Sequence, residues 1–138
     1  MSVPVALAGL SSRTPAACVF CDIAAGRAPA SVIREWPDAL AIRPRGGVSD
    51  GHVLVIPRAH VADAIEDPVI TGSTMMRACE LGADLKSDLN LIANVGPDAT
   101  QTIYHLHIHL MPRSAGDGLM LPWTPHPPTR TNISGSPL

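Results

Sequence analysis

Three histidines at alternate positions carry the clearest chemical signal in this sequence. The stretch QTIYHLHIHLMPR, residues 101 to 113, places His105, His107 and His109 in an apolar run, in a chain with only six histidines. Because successive side chains of a β-strand point to opposite faces, this spacing predicts three imidazoles on one face of a strand. Three imidazoles buried without a ligand would leave donors and acceptors unsatisfied, so the pattern favours a bound metal or anion. The opposite face is predicted to carry Thr102, Tyr104, Leu106, Ile108 and Leu110.

A second candidate cluster starts from the pair Cys18 and Cys21 in CVFC. This spacing is typical of zinc ligands, and it occurs also in redox pairs and in pairs of buried thiols. A redox pair usually lies between a strand and a helix of a parallel sheet, which the pattern here does not predict. With Cys79 the chain has three cysteines. An odd number argues against a disulfide framework and fits a reducing cytoplasm.

The composition limits the classes of function. With 138 residues, 46% of them hydrophobic, the chain is one ordinary domain with a sizeable core. A net charge of −2 argues against a basic surface for a nucleic acid polymer, so any nucleotide ligand should be small. No apolar stretch is long enough to span a membrane. The apolar start MSVPVALAGLSS lacks the preceding basic residues of a secretory signal, so we expect a cytoplasmic protein without membrane contact.

Short strands should position the candidate side chains. The runs SVIREW, DALAIRP and HVLVIP, within residues 31 to 57, are β-branched or apolar and are bounded by Pro, Gly or Asp. Two more strands are predicted in NLIANVG and QTIYHLHIHLMP, after a long helical segment. A short helical turn in CDIAAGRAP precedes all of them. The order of strands, helix and strands predicts an α+β fold: an antiparallel sheet of about five strands with one long and one short helix.

The long helix is predicted in EDPVITGSTMMRACELGADLKSDL, residues 66 to 89. Asp67 is its expected N-cap, and Pro68 stands in the first turn, where a missing N–H leaves no hydrogen bond unmade. Residues predicted to face the core include Met75, Met76, Cys79 and Leu85.

Small residues and prolines mark both ends of the predicted domain. We expect a flexible arm over residues 1–17, the domain over residues 18–123 and a Pro-rich tail over residues 124–138. The segment GLMLPW near the end of the domain could close over a ligand site.

Taken together, the motifs resemble the histidine triad (HIT) family, whose signature of three alternate histidines and two apolar residues matches residues 105–111. The resemblance runs from Cys18 to about Trp123 through CVFC, GHVLVIPRAHV and NVGPDATQT, in the order of the family. CVFC together with GHVLVIPRAH points to the Hint-like and bacterial branch. The resemblance implies the HIT fold and a homodimer that joins sheets across the long helix and its neighbouring strand.

The resemblance also implies transfer or hydrolysis at the α-phosphate of a nucleotide, through a nucleotidyl group on the middle histidine. By motif, that nucleophile is His107, and a neutral imidazole is an adequate nucleophile near pH 7. His109 is expected to donate to the phosphate oxygens in the transition state. Gln101 and Thr102 match the pair that contacts phosphate and leaving group, and Asn94 matches an asparagine that lines the nucleotide site.

The same resemblance supplies two further metal ligands for the cysteine pair. His60, in PRAH, and His105 are the positions that complete a tetrahedral zinc site with Cys18 and Cys21 in zinc-containing bacterial relatives. A closed site of this kind stabilises the fold and does not activate water. His105 would then hold structural zinc while His107 reacts. The alternative to a zinc site is that Cys18 and Cys21 are free buried thiols.

The loop before His52 departs from the family pattern. Many members carry an acidic residue there that holds the ribose hydroxyls, whereas an ungapped alignment places Pro44 at that position. Proline has no side-chain acceptor. Three alternatives remain for this loop. Arg43, Arg45 and the neighbouring glycines offer charge and backbone amides to the ligand, Asp50 takes the place of the acidic residue through a different loop path, or the loop is a plain turn. His52 itself is expected either to support the triad or merely to begin a strand.

The expected function is that of a nucleotide hydrolase or nucleotidyl transferase of the phosphoramidase kind, which releases a nucleoside monophosphate such as AMP. Its expected partners are a purine nucleotide or nucleotide conjugate and a second copy of the chain. One alternative is a dinucleoside polyphosphate hydrolase with the same machinery. Two non-enzymatic alternatives are a nucleotide-binding module with structural zinc and a zinc-dependent interaction scaffold.

Overall fold

Five strands, two α-helices and one 3₁₀ turn make up the part of the chain that the structure, a computed structural model, describes, residues 17 to 125. In chain order they are α1 (Val19–Ala24), β1 (Val32–Glu35), β2 (Ala39–Ile42), β3 (Val53–Pro57), α2 (Pro68–Leu85), β4 (Asp88–Ile92), the 3₁₀ turn (Pro97–Ala99) and β5 (Ile108–Arg113). The predicted arm, apart from its last residue, and the predicted tail beyond residue 125 lie outside the described residues. None of the helices within the described range combines the length and apolarity that a membrane span requires.

All neighbouring strands of the sheet are antiparallel, in the order β1-β2-β3-β5-β4. Strand β5 pairs with β3 on one side and with the edge strand β4 on the other, so that His109 lies opposite Leu54 and Ile92. The α+β prediction with an antiparallel sheet and one long and one short helix is therefore confirmed. The strand predicted in NLIANVG begins and ends earlier than expected, at Asp88 and Ile92.

The sheet has an apolar layer on each face, because alternate residues of β2 and β3 point to opposite sides. On one face, Ala39, Ala41, Val53, Val55, Ile108 and Leu110 pack with Ala78 and Leu81 of α2. On the other face, Leu40, Ile42, Leu54 and Ile56 pack with Cys18, Phe20 and Cys21. Strands β2 and β3 are thus buried along their whole length. The second layer matters most for function, since it fixes the short helix that carries the cysteine pair.

Helix α2 begins as predicted and ends before the predicted residue. The Asp67 carboxylate accepts from the N–H groups of Val69 and Ile70, at 3.0 and 3.3 Å. The helix ends at Leu85, since Lys86 adopts a left-handed conformation with φ of 50° and turns the chain into β4.

The inward face of α2 is a correction to the sequence prediction. Thr74, Ala78 and Leu81 are the buried residues of the helix. Of the predicted core residues, only Met75 packs against the apolar layer, whereas the other three, Met76, Cys79 and Leu85, are exposed. The small side chains Thr74 and Ala78 face the sheet where the helix packs over β3 and β5. The Thr74 hydroxyl is satisfied there by donating to the Ile70 carbonyl at 2.7 Å.

The segment of the three histidines is shorter as a strand than predicted. Strand β5 begins only at Ile108, so His105 and His107 precede it and the three imidazoles do not share one strand. Residues 101 to 107 are held instead by hydrogen bonds outside the sheet, such as that from the Leu106 N–H to the Val61 carbonyl at 2.7 Å. Of the predicted apolar face, Leu106, Ile108 and Leu110 are buried, while Thr102 and Tyr104 are exposed.

Candidate functional site

A cavity of about 630 Å³ opens between α1, the β2–β3 loop and the start of β5. One wall is apolar and is suited to a flat aromatic ring; it is formed by Val19, Phe20, Ile23, Ile42, Leu54 and Ile103. The polar groups of the cavity include three imidazoles and a hydroxyl, those of His52, His107, His109 and Thr102, and also Ser31, Arg43 and Arg45. An apolar cleft with a few converging polar groups is the usual form of a small-molecule site.

A backbone carbonyl fixes the tautomer of His107. Its Nδ1 lies 2.8 Å from the carbonyl oxygen of His105. Since a carbonyl can only accept, Nδ1 carries the proton and Nε2 keeps a lone pair. The Phe20 ring packs edge-on against the imidazole, with 5.3 Å between ring centroids. The neutral ring of His107 thus has its lone pair on Nε2, and the ring is held in one orientation in the cavity wall.

A chain of hydrogen bonds gives His109 the opposite tautomer. The Val48 N–H donates to His52 Nδ1 at 3.4 Å, which leaves the proton of a neutral His52 on Nε2. His52 Nε2 lies 3.0 Å from His109 Nδ1 and donates to it. His109 therefore carries its own proton on Nε2. This Nε2 is buried and has no hydrogen-bond partner, and it is the single buried side-chain nitrogen or oxygen within residues 17–125 of which this is true.

Burial keeps both members of this pair neutral. Desolvation is the main cause that lowers the pKa of His109, to about 4, and the neighbouring His107 and His52 add to the shift. Burial also lowers the pKa of His52. At neutral pH the site therefore presents an uncharged N–H donor at His109 Nε2 and no imidazolium at His52. A bound phosphate would supply the missing acceptor, and its negative charge would favour protonation of the pair.

The remaining residues predicted for nucleotide binding divide into two groups. Thr102 is exposed and lines the cavity beside His107 and His109. Gln101 is buried and does not line it, because its amide bonds the backbone: Oε1 accepts from the Gly96 N–H, and Nε2 donates to the carbonyls of Ala62 and Ile103. Asn94 is half-buried and does not line the cavity either. The structure thus brings together Thr102, His107 and His109, and it leaves Gln101 and Asn94 outside the cavity wall.

The four predicted metal ligands form one compact cluster. The ligand atoms of Cys18, Cys21, His60 and His105 all lie within 4.8 Å of one another. His105 Nδ1 is 3.1 Å from His60 Nδ1, 3.4 Å from Cys18 Sγ and 3.5 Å from Cys21 Sγ. Zinc bonds of about 2.0 Å to nitrogen and 2.3 Å to sulfur in a tetrahedron imply ligand separations of about 3.3 to 3.8 Å. The cluster therefore has nearly the dimensions that zinc requires.

The protonation of the cluster also fits a cation. His105 Nε2 donates to the Pro57 carbonyl at 2.8 Å, so its Nδ1 lone pair faces the other ligand atoms. Burial lowers the pKa of His105 to about 4 and lowers that of His60, which keeps both rings in the neutral, ligating form. Burial, followed by the neighbouring Cys18, raises the pKa of the Cys21 thiol to about 12. A bound cation reverses that last effect, since a coordinated thiol is deprotonated.

The β2–β3 loop forms the remaining wall of the cavity. Arg43, Pro44 and Arg45 all line it, and none of its lining residues is acidic. Asp50 lines a smaller neighbouring cavity of about 350 Å³. The sequence left the role of His52 open, because its contact with His109 depends on the pairing of β3 with β5.

Comparison with known proteins agrees with this geometry. Residues 25–116 match the HIT domain family. Protein hit of Bacillus subtilis is 33% identical over 131 residues, which is 86% of this chain and 90% of that protein. A zinc-bound histidine triad family protein from Mycobacterium smegmatis has a crystal structure that matches with a TM-score of 0.67 and 37% identity, over 75% of this chain and 80% of that one. The zinc-bound relative and the four-ligand cluster together support structural zinc here.

One relative carries the name of an enzyme. Adenylylsulfatase HINT3 of Arabidopsis thaliana is 35% identical over 108 residues, which is 74% of this chain and 55% of that protein.

Proposed function

The chain belongs to the histidine triad family, and from that premise we propose that it is a nucleotide hydrolase that works through a nucleotidyl group carried on His107. Its proposed substrates are purine nucleotide conjugates of the phosphoramidate kind, from which it releases a nucleoside monophosphate such as AMP. The single observation that supports this most is the pair of opposite tautomers in one cavity: a lone pair on His107 Nε2 and a buried, unpartnered N–H on His109 Nε2.

In the first proposed step, His107 Nε2 attacks the α-phosphorus, a P–N bond forms and the bond to the leaving group breaks. Binding of the anionic substrate adds one proton to the His52–His109 pair, and the leaving group takes a proton from His109 Nε2 as it departs, which returns the pair to its neutral state. The ring of His107 becomes positively charged, and the His105 carbonyl, 2.8 Å from Nδ1, stabilises that charge.

In the second step, water attacks the same phosphorus and breaks the P–N bond. His109 Nε2 accepts the proton that the water loses, so the His52–His109 pair again holds one added proton, which it releases with the product, and His107 regains its starting protonation. The nucleoside monophosphate leaves with one oxygen from water. Thr102, exposed at the cavity wall, is proposed to contact phosphate and leaving group, and Gln101 and Asn94 stay predictions.

Zinc, when bound, holds Cys18, Cys21, His60 and His105 together and has no chemical role in these steps. Its proposed contribution is positional. His105 supplies a ligand through Nδ1 and, through its carbonyl, the acceptor that fixes the tautomer of His107.

Trapping of the covalent species tests this function. The zinc-loaded protein would be incubated with adenosine 5′-phosphoramidate, quenched with acid-free denaturant and measured by intact mass. An added adenylyl group is expected in the native protein and in the matched variant Tyr104→Phe, which alters an exposed ring of the same segment. It is expected to be absent from His107→Ala.

Steady-state kinetics and AMP binding, measured beside the trap, separate the rival functions. A higher kcat/KM on diadenosine polyphosphates than on the phosphoramidate would favour a dinucleoside polyphosphate hydrolase. Tight AMP binding with no covalent adduct and no turnover would contradict the enzyme and favour a nucleotide-binding module.

We also infer a homodimer in the cytoplasm. Apolar side chains stand exposed on α2 and on the edge strand β4, among them Val69, Met76 and Leu91. A second copy would cover such residues if the two long helices and edge strands met. Sedimentation equilibrium is expected to give twice the monomer mass, and Met76→Lys is expected to reduce it to that of the monomer.

A further inference from the structure

The β2–β3 loop contains two arginines that differ from the other arginines of the described chain. Between residues 17 and 125, ion pairs with carboxylates are formed by Arg27, Arg34, Arg58, Arg77 and Arg113. The guanidinium groups of Arg43 and Arg45 have no such partner within that range, and both line the cavity. Two unpaired positive charges in a cleft with no acidic lining residue leave the cavity complementary to an anion.

The loop runs from the apolar wall to the reacting histidines. Ile42, which lines the apolar wall, directly precedes Arg43. At the other end, a Cβ added to Gly47 would lie only 3.2 Å from His52 Nδ1, and His52 Nε2 contacts His109. A nucleotide with its base on the apolar wall and its α-phosphate at His107 and His109 would have its sugar between these two ends. The loop therefore runs alongside the sugar.

The side chains of the segment Arg43–Gly47, which is the part of the loop that lines the cavity before His52, can donate hydrogen bonds but cannot accept them. A guanidinium has five N–H donors and no acceptor, and Pro44 and the two glycines offer no side-chain acceptor. Free sugar hydroxyls, which seek an acceptor for their protons, are poorly served by such a wall. A phosphate ester has only acceptor oxygens at neutral pH and is the group that arginine binds best.

Asp50 is the acidic residue of the β2–β3 loop and follows the segment Arg43–Gly47. It lines the smaller neighbouring cavity together with Arg43 and Gly47, and it does not line the cavity of the histidines. It also forms no ion pair with either arginine. Asp50 therefore neither neutralises the arginines nor offers its carboxylate to the main cavity.

We propose that Arg43 and Arg45 bind a second phosphate on the sugar of the ligand, so that the preferred substrates are conjugates of a nucleoside 3′,5′-bisphosphate or 2′,5′-bisphosphate. This inference rests on the proposed function, since it assumes that the α-phosphate lies at His107. It adds the class of nucleotide, which is set by the Arg43–Gly47 loop. The observation that supports this inference is the position of two arginines without carboxylate partners beside the sugar of the ligand.

Equilibrium binding to the zinc-loaded protein tests the proposal without catalysis. Titration calorimetry would compare AMP, adenosine 3′,5′-bisphosphate, adenosine 2′,5′-bisphosphate and ADP. One of the two sugar bisphosphates is expected to bind at least about tenfold more tightly than AMP, as one or more charge-assisted hydrogen bonds would give. Because both arginines are exposed, this preference should fall as salt is raised.

Two double variants isolate the arginines. Arg43→Gln with Arg45→Gln is expected to reduce the preference to about one, within roughly twofold, while AMP still binds. Arg34→Gln with Lys86→Gln removes the same charge from residues that do not line the cavity and should keep the preference. If instead the control variant loses the preference equally, net charge and not this loop is responsible, and the proposal is overturned.

Three further outcomes would also overturn it. Equal dissociation constants for AMP and both sugar bisphosphates would contradict the second-phosphate site and leave the proposed function intact. An equal or larger gain for ADP through the same arginines would assign them to the phosphate chain. A loss of AMP affinity in Asp50→Asn, without any bisphosphate preference in the native protein, would show a hydroxyl-binding loop. Failure of all four nucleotides to bind would contradict the proposed function itself.

Discussion

His105 and His109 lie four residues apart, and burial lowers the pKa of each imidazole to about 4. Their ring nitrogens nevertheless face different surroundings. His105 directs Nε2 to the Pro57 carbonyl and Nδ1 to two sulfurs and another imidazole. His109 directs Nδ1 to His52 and leaves Nε2 without a partner in the cavity wall. Similarly lowered pKa values thus accompany a ring whose lone pair faces the metal-ligand cluster and a ring whose N–H lies in the cavity wall.

The comparison shows that tautomer, more than pKa, separates the two regions. A carbonyl acceptor forces the lone pair of His105 toward the cysteines, whereas a backbone N–H, relayed through His52, forces the proton of His109 toward the cavity. His107 lies between them and is fixed by the carbonyl of His105 itself. The cluster and the cavity should therefore be separable by substitution.

The largest effect is expected for His107→Ala. Without Nε2 there is no nucleophile, and kcat/KM for the phosphoramidate should fall by about 10⁴-fold or more. Zinc content, measured by atomic absorption, should stay at one ion per chain, because His107 is not among the four clustered ligands. A variant that lost its zinc together with its activity would show that the two regions are not separable.

Removal of a metal ligand should have the converse effect. Cys21→Ser is expected to lose zinc and to reduce the free energy of unfolding by about 4 kcal/mol, because metal binding contributes directly to folding. Cys79→Ser changes an exposed cysteine outside the cluster and is the matched control. Urea unfolding with and without a chelator measures both. Equal stability of the two variants would contradict a structural metal.

The features that could be predicted from the sequence are those formed by residues close together in the chain, whereas features that depend on contacts between distant segments could not. Local spacing indicated the histidine motif, the cysteine pair and the N-cap Asp67. The contact between His52 and His109 was not predictable, because it depends on the pairing of β3 with β5. The start of β5 was predicted wrongly, since the buried amide of Gln101 helps to hold the preceding loop away from the sheet. The methionines of α2 suggested the wrong face, because periodicity alone does not show that small residues must approach β3 and β5.

A smaller loss of activity is expected for His109→Asn. An asparagine keeps a donor but cannot give up its proton, so kcat/KM should fall by about 10²-fold while the KM changes little. The loss should be greatest for substrates with basic amine leaving groups and smaller for leaving groups that depart without a proton. An equal loss for all leaving groups would show that His109 only positions the phosphate.

The smallest effect expected is on stability at mildly acidic pH. The folded-state pKa of His109, about 4, lies below the unfolded value of about 6.5, so its contribution to stability is complete above pH 6.5 and is lost as pH falls toward 4. Between pH 7 and pH 5 the native protein should lose about 2 kcal/mol more than His109→Asn, which has no group that titrates there. His52 and His107, which face the ring, are unchanged in the variant, and so are the metal ligands, so the difference isolates His109. Denaturant unfolding at both pH values measures it. Equal losses would mean that His109 is already protonated in the folded protein, and the contrast between the two imidazoles would not hold.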